Sequence, residues 1–473
     1  MANFDLPNDI VLMILNCVAA KPATKHPPRE FAVLAGVCQQ WRRLAVPIIC
    51  SSAKIRCISV SNRHPKNPGL VPGLESDIPE IIILGGQSYV KSVFFEFDAG
   101  KHLLDFLEAI VSELQHTSIA WTGVKALRFI FYGHSVAIPG YLPIALNKKA
   151  SDGVLKLAAD LADSFPNVLE LHTKSRNYNI DVGALVGYLV DKFAVTVTSF
   201  KHNLFYPIHV PAFSDTLAHL SLIMNPKTME NLPRVNTDAL KTLKLRNYPT
   251  DYSWASFANG QTPGSISFAQ LKRLDIYFSY YTSELSHNLQ MSFPALEDLR
   301  LDNWNSDIKE ISTALFPAYM PNIHVSGSTQ AIKSFFCHKS SGFGNFKIVI
   351  GCCDAADMET FYEMADRFFN RLRIDGQAAL DIIFDSPKLD ADRMNWTNLT
   401  FLTITGDIDI ETISALLPRL PSLTSLKARK LVHNEDTNNS DAFNQFTPPD
   451  LASLSTAAPL STSSPTLVNA LGF

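Results

Sequence analysis

The chain has 473 residues, 46% hydrophobic and 18% charged, so most of it should fold, yet it exceeds one ordinary core and calls for a long solenoid or several domains. Its net charge of -4 offers little attraction to a phosphate backbone, which sets nucleic acid aside as a partner. Seven irregularly spaced cysteines form neither a disulfide framework nor a paired zinc pattern, so a reducing cytoplasmic or nuclear setting is expected. No apolar run reaches the roughly 18 residues of a membrane span. The run 10–20 follows Asp5 and Asp9 where a signal peptide needs basic residues, and no membrane association is expected.

In chain order, residues 6–15 crowd apolar side chains behind Pro7 and Asn8-Asp9, which predicts a short helix. Three prolines between 19 and 30 stop it. A second helix is predicted from Phe31 through Leu34, Val37, Cys38, Trp41 and Leu44, one face at spacings of three and four, ending before Pro47. These helices are expected to form a small N-terminal helical domain over residues 1–50. Residues 51–80, with four prolines between 61 and 79, are expected to connect it to the body. In the body, strand patterns at 90–97, 124–131 and 168–173 alternate with helical ones at 103–114, near 152–163 and near 181–193. Such alternation predicts an α/β fold of parallel strands with outer helices. Residues 434–473 hold twenty Ser, Thr, Pro or Asn out of forty and are expected to be disordered.

Within the body, over residues 81–433, an L-x-x-L-x-L pattern recurs. It appears as Leu217/Leu220/Leu222, Leu240/Leu243/Leu245, Leu271/Leu274/Ile276, Leu296/Leu299/Leu301 and Leu399/Leu402/Ile404. Looser copies are Val124/Leu127/Phe129, Ile332/Phe335/Cys337 and Leu423/Leu426/Ala428. The pattern resembles the strand signature of leucine-rich repeats, and four copies start 23, 31 and 25 residues apart. The resemblance implies an irregular α/β solenoid. Residues 305–395 fit it worst. At the N-terminus, Leu6-Pro7-x-Asp9-Ile10-x-x-x-Ile14-Leu15, followed by Leu34-x-x-Val37-Cys38-x-x-Trp41-Arg42-Arg43-Leu44, resembles the F-box motif. The loop between the two parts is longer than usual. By that resemblance Leu6, Pro7, Ile10, Ile14, Leu15, Leu34, Val37, Cys38, Trp41 and Leu44 would bind a Skp-type adaptor of cullin-RING ubiquitin ligases. The repeats would then recruit a protein client.

Residues between the leucines face outward on a repeat's concave side. That face would carry Lys244, Arg246, Arg273, Asp275, Tyr277, Asp298, Arg300 and Asp302, a mixed-charge surface suited to a protein. Reversing Lys244, Arg273 and Arg300 is expected to leave the fold nearly unchanged. No nucleophile elbow, P-loop, zinc motif or dinucleotide fingerprint is present, so neither catalysis nor a cofactor or metal is expected. The alternatives are a stand-alone leucine-rich scaffold whose N-terminal helices only cap the solenoid, and an enzyme whose site no motif reveals.

Overall fold

The computed structural model describes residues 7–19, 39–58, 73–98, 103–116, 121–132, 152–175, 180–203, 212–223, 235–248, 265–278, 290–304, 314–329, 332–333, 342–352, 355–384, 389–432 and 444–446. The chain divides into two compact units, Met1–Asn236 and Thr237–Phe473.

Unit 1 begins with helices α1 (Asn8–Ala19) and α2 (Gln39–Ile49), which pack on each other. Pro47 lies inside α2 rather than beyond it; in the last turn its missing N–H removes only one ladder bond. Strands β1 (Ser52–Ile58) and β2 (Gly73–Ser76) and helix α3 (Ile78–Leu84) follow, so the stretch expected as a connector supplies a sheet edge. The alternation is then β3 (Ser92–Asp98), α4 (Leu103–His116), β4 (Ala126–Tyr132), α5 (Asp152–Asp163), β5 (Glu170–Ser175), α6 (Ile180–Phe193), β6 (Ser199–Asn203) and β7 (His219–Ile223). The sheet order is β2-β1-β3-β4-β5-β6-β7, parallel except for the β1–β2 pair.

Each strand here enters beside its predecessor through one repeated bond. Lys125 N–H donates to Lys91 O, Leu169 N–H to Lys125 O and Thr198 N–H to Leu169 O, all at 2.8 Å. The buried row is Val90/Val93/Phe95, Val124/Leu127/Phe129, Val168/Leu171/Thr173 and Val197/Phe200/His202. Only the second of these is legible as a repeat, because valine, phenylalanine, threonine and histidine replace leucine elsewhere. Phe95 and Phe129 stack at 4.7 Å between centroids, as do Phe97 and Phe131 at 5.0 Å.

Unit 2 holds β8 (Thr242–Tyr248), β9 (Ser265–Ser267), β10 (Arg273–Phe278), β11 (Gln290–Ser292), β12 (Asp298–Trp304), β13 (Tyr319–Ser328), β14 (Gly342–Cys352), α7 (Ala355–Arg371), β15 (Ala378–Phe384), β16 (Phe401–Asp409), α8 (Ile410–Leu416), β17 (Ser425–Val432) and β18 (Asn444–Phe446). Its sheet runs β8-β10-β12-β13-β14-β15-β16-β17-β18, parallel except for β17–β18. Both units are thus α/β with mostly parallel, sequentially stacked strands, consistent with a solenoid-like fold.

Three expectations change here. Between β8 and β12 the chain adds a separate parallel pair, β9–β11, in which Ile266 and Met291 are buried. Ile332 is helical, not part of a strand triplet, while Phe335 and Cys337 lie outside the described residues. The repeat in that region is instead β13, with Met320, Ile323 and Val325 buried. Finally, β18 falls within the segment expected to be disordered, where the open edge of β17 gives it backbone partners.

Candidate functional site

In unit 2, Leu243, Leu245, Leu274, Ile276, Leu299 and Leu301 are buried, so the intervening residues share the other face of the sheet. The register places Lys244, Asp275 and Arg300 in one row across β8, β10 and β12, and sets Arg246 beside Tyr277 and Arg273 beside Asp298. All eight residues expected at a client face therefore lie in neighbouring rows. The row continues through His324 of β13 to Lys347 of β14. Sequence reading missed these two; Met320-x-x-Ile323-x-Val325 and Phe343-x-x-Phe346-x-Ile348 were the available signal.

Most charges on this face are paired. Lys244 holds Asp275, which is only 3% exposed although its side chain belongs to the polar face. Arg300 Nε lies 2.6 Å from Asp302 and His324 Nε2 lies 3.4 Å from it, while Lys347 Nζ lies 2.6 Å from Asp381 of β15 and Arg273 Nε 3.5 Å from Asp298. Burial works against the Asp302 carboxylate, but the bonds from His324 and Arg300 outweigh it and hold its pKa below the usual range. In return the Asp302 bond raises Arg300. Asn345 donates to Asn322 at 2.9 Å in the preceding row. Among the described residues of β8, β10 and β12, Arg246 is an exposed cation of this face without an ion pair. Such a surface offers shape, hydrogen bonds and alternating charge to a folded partner, with little net field.

The head presents the second candidate surface. Val11 and Leu15 turn inward from α1, and Ala45, Val46, Ile49 and Cys50 are buried at the end of α2. Pro7 is exposed, Ile10 is 37% and Met13 57% exposed, and Ile14, Trp41 and Leu44 are half-buried. Leu6, Leu34, Val37 and Cys38 lie outside the described residues. The helix α2 also packs against the turn Gln87–Tyr89. Burial, with Asp77 adding to it, pushes the Cys50 thiol up to about 11, which makes it a packing residue rather than a reactive one.

Among the described residues no group of three or more metal-ligating side chains occurs, and no helix is long and apolar enough to cross a membrane. No protein family matches the chain, and no curated protein does. Among solved structures, a chain of the yeast Rad7 and Elc1 complex is similar over 75% of this chain and 75% of its own length, at 10% identity and a TM-score of 0.27.

Proposed function

We propose that the chain is a non-catalytic substrate receptor of a cullin-RING ubiquitin ligase, working in the cytoplasm or nucleus. Residues 6–45 dock a Skp-type adaptor, which links the chain to the cullin scaffold, and the polar sheet face of unit 2 holds a protein client. The observation that carries this reading is the division of labour on α1. Val11 and Leu15, four apart, serve the head's own packing, while Pro7, Ile10 and Met13 leave an apolar strip on the surface. An exposed strip of this kind suits a partner's groove or helix. The F-box-like order of the surrounding residues supports a Skp-type adaptor as that partner. A solenoid cap is the rival reading, favoured by the packing of α2 on Gln87–Tyr89.

The two readings separate on surface substitutions. With the purified full chain and a purified Skp-type adaptor, Ile10→Glu together with Met13→Glu should abolish co-elution while leaving the thermal midpoint within about 2 °C, since exposed changes cost little stability. Unchanged co-elution, or no co-elution of the unaltered chain, would leave the cap reading standing.

A further inference from the structure

The polar face of unit 1 carries a different charge pattern, which the adaptor-and-client reading does not use. The register across β4, β5 and β6 sets Arg128 beside His172 and His172 beside Lys201, and Lys174 follows two residues along β5 on the same face. Strands stand about 4.8 Å apart, so these cations cluster within roughly 10 Å across the sheet. Among the described residues none of the three forms an ion pair. The nearby carboxylate of Glu96 on β3 is already taken, by Lys54 and by Arg56 at 2.8 Å each. Glu170 stands two residues before His172 on the same face, at the N-terminal end of β5, and among the described residues it forms no ion pair with the three cations. The Arg128 guanidinium lies 4.8 Å from the centre of the Phe94 ring, which holds its plane. Burial and then Lys201, Arg128 and Lys174 push His172 down to about 4, so the cations share a common field around a neutral imidazole.

Holding three like charges together with no ion-paired counter-charge costs folding energy. An anionic occupant removes that cost. We propose that the β4–β6 face of unit 1 binds an acidic peptide segment of a partner protein, with carboxylates set against Arg128, Lys174 and Lys201. The cations lie on an open sheet face, where a single small anion would stay largely in water, whereas a segment bearing several carboxylates meets all three at once. A nucleic-acid duplex fits less well, because such binding commonly uses roughly six to ten phosphate contacts and the chain's net charge is -4.

The test is fluorescence anisotropy of the full chain with a labelled peptide of about ten residues that alternates glutamate and serine. A glutamine-serine peptide of the same length and a single-stranded RNA of similar charge serve as comparators. The acidic peptide should bind, the neutral one should not, and Lys174→Glu with Lys201→Glu should weaken binding about tenfold or more. Lys174→Gln with Lys201→Gln, which adds no charge to the site, covers the case in which the reversal fails to fold, and should weaken binding severalfold. Lys333→Gln, at a helical lysine of unit 2 paired with Glu363, should leave it unchanged. Tighter binding of RNA than of the peptide, or equal binding by the glutamine variant, overturns the proposal. So does a tenfold gain when Glu435, Asp436, Asp441 and Asp450 are changed to amides in the full chain, since that would make the chain's own C-terminal segment the occupant. None of these outcomes depends on adaptor binding, so this proposal and the receptor reading fail separately.

Discussion

The two units present polar sheet faces built on the same backbone rule, but they treat charge in opposite ways. In unit 2, Lys244, Arg273, Arg300 and Lys347 each meet an aspartate from the same or an adjacent strand. In unit 1, Arg128, Lys174 and Lys201 meet none among the described residues, and a neutral histidine stands between them. A sheet face of alternating charge ties neighbouring strands together and presents little net field; a face of unpaired cations gives the sheet nothing and attracts an anion. The leucine pattern fixes where these side chains stand, and the residues between the leucines decide whether the face supports the fold or waits for a partner.

Acid should separate the units most strongly. His202 occupies a leucine position in the core of unit 1, 3% exposed, with its Nδ1 2.8 Å from Thr173 Oγ1, and burial pushes it down to about 3. A base whose folded pKa is depressed binds its proton more readily in the unfolded chain. Stability is therefore full above the unfolded value near 6.5 and is lost as pH falls toward 3. In unit 2 the depressed groups are the carboxylates Asp302 and, on the surface beside Arg393, Glu359, whose contributions are lost only as pH falls below their ordinary values of 3.8 and 4.5. At pH 4.5, hydrogen exchange should rise in β5 and β6 well before it rises in β10 and β12, a loss on the order of 2 kcal/mol in unit 1. His202→Val with Thr173→Val should remove the part of the difference that His202 supplies and leave the part that His172 supplies. Simultaneous loss of both sheets would break the comparison.

The next effect concerns the paired face alone. Asp275→Ala strips Lys244 of a carboxylate that is itself buried, and Arg300 loses part of the negative field that raises it. Because Lys244 is partly exposed, water replaces some of the loss, and the expected cost is about 1–3 kcal/mol. Lys201→Ala in unit 1 should cost less than about 0.5 kcal/mol or stabilise slightly. Urea unfolding of the two variants measures both. Equal costs would mean that the faces do not differ energetically.

Much of this was legible beforehand, for physical reasons that stop at identifiable residues. Leucine at the buried positions announced β8, β10, β12 and β16, and period two then assigned Lys244 through Asp302 to one face. Repeats in which Val, Phe, Thr or His fill those positions stayed hidden, although the backbone tolerates any buried side chain of suitable volume. Hence β5, β6 and β13 carry the repeat while their triplets read as Val168/Leu171/Thr173, Val197/Phe200/His202 and Met320/Ile323/Val325. Pairing was not legible at all, because alternation gives the face of a residue and says nothing of its neighbour's register. Alternation puts Lys244 on the surface, yet reversing it would set a second carboxylate beside buried Asp275. The expectation that reversal leaves the fold nearly unchanged therefore fails at that residue. The basic face of unit 1 went unread for the same reason, since Arg128, His172 and Lys201 become neighbours only once β4, β5 and β6 are in register.

The smallest expected effect reports directly on the unpaired face. After burial, the Lys201 charge is the largest influence that lowers His172, followed by Arg128 and Lys174. Lys201→Gln removes one like charge and keeps the side chain's length and polarity, so the His172 imidazole should accept its proton at a higher pH than its present value of about 4. The shift follows a two-dimensional imidazole NMR titration of the full chain, and the same experiment in high salt should shrink the difference between the two proteins, since screening weakens interactions among exposed charges. Stability should move in step: with a folded pKa nearer its unfolded value, the variant loses less stability than the parent as pH falls from 6.5 toward 4. An acidic peptide bound to the parent should raise His172 in the same direction, because its carboxylates offset the same cations. If His172 stays at about 4 in the variant, burial alone sets it, and the three cations lie too far apart to act as one site.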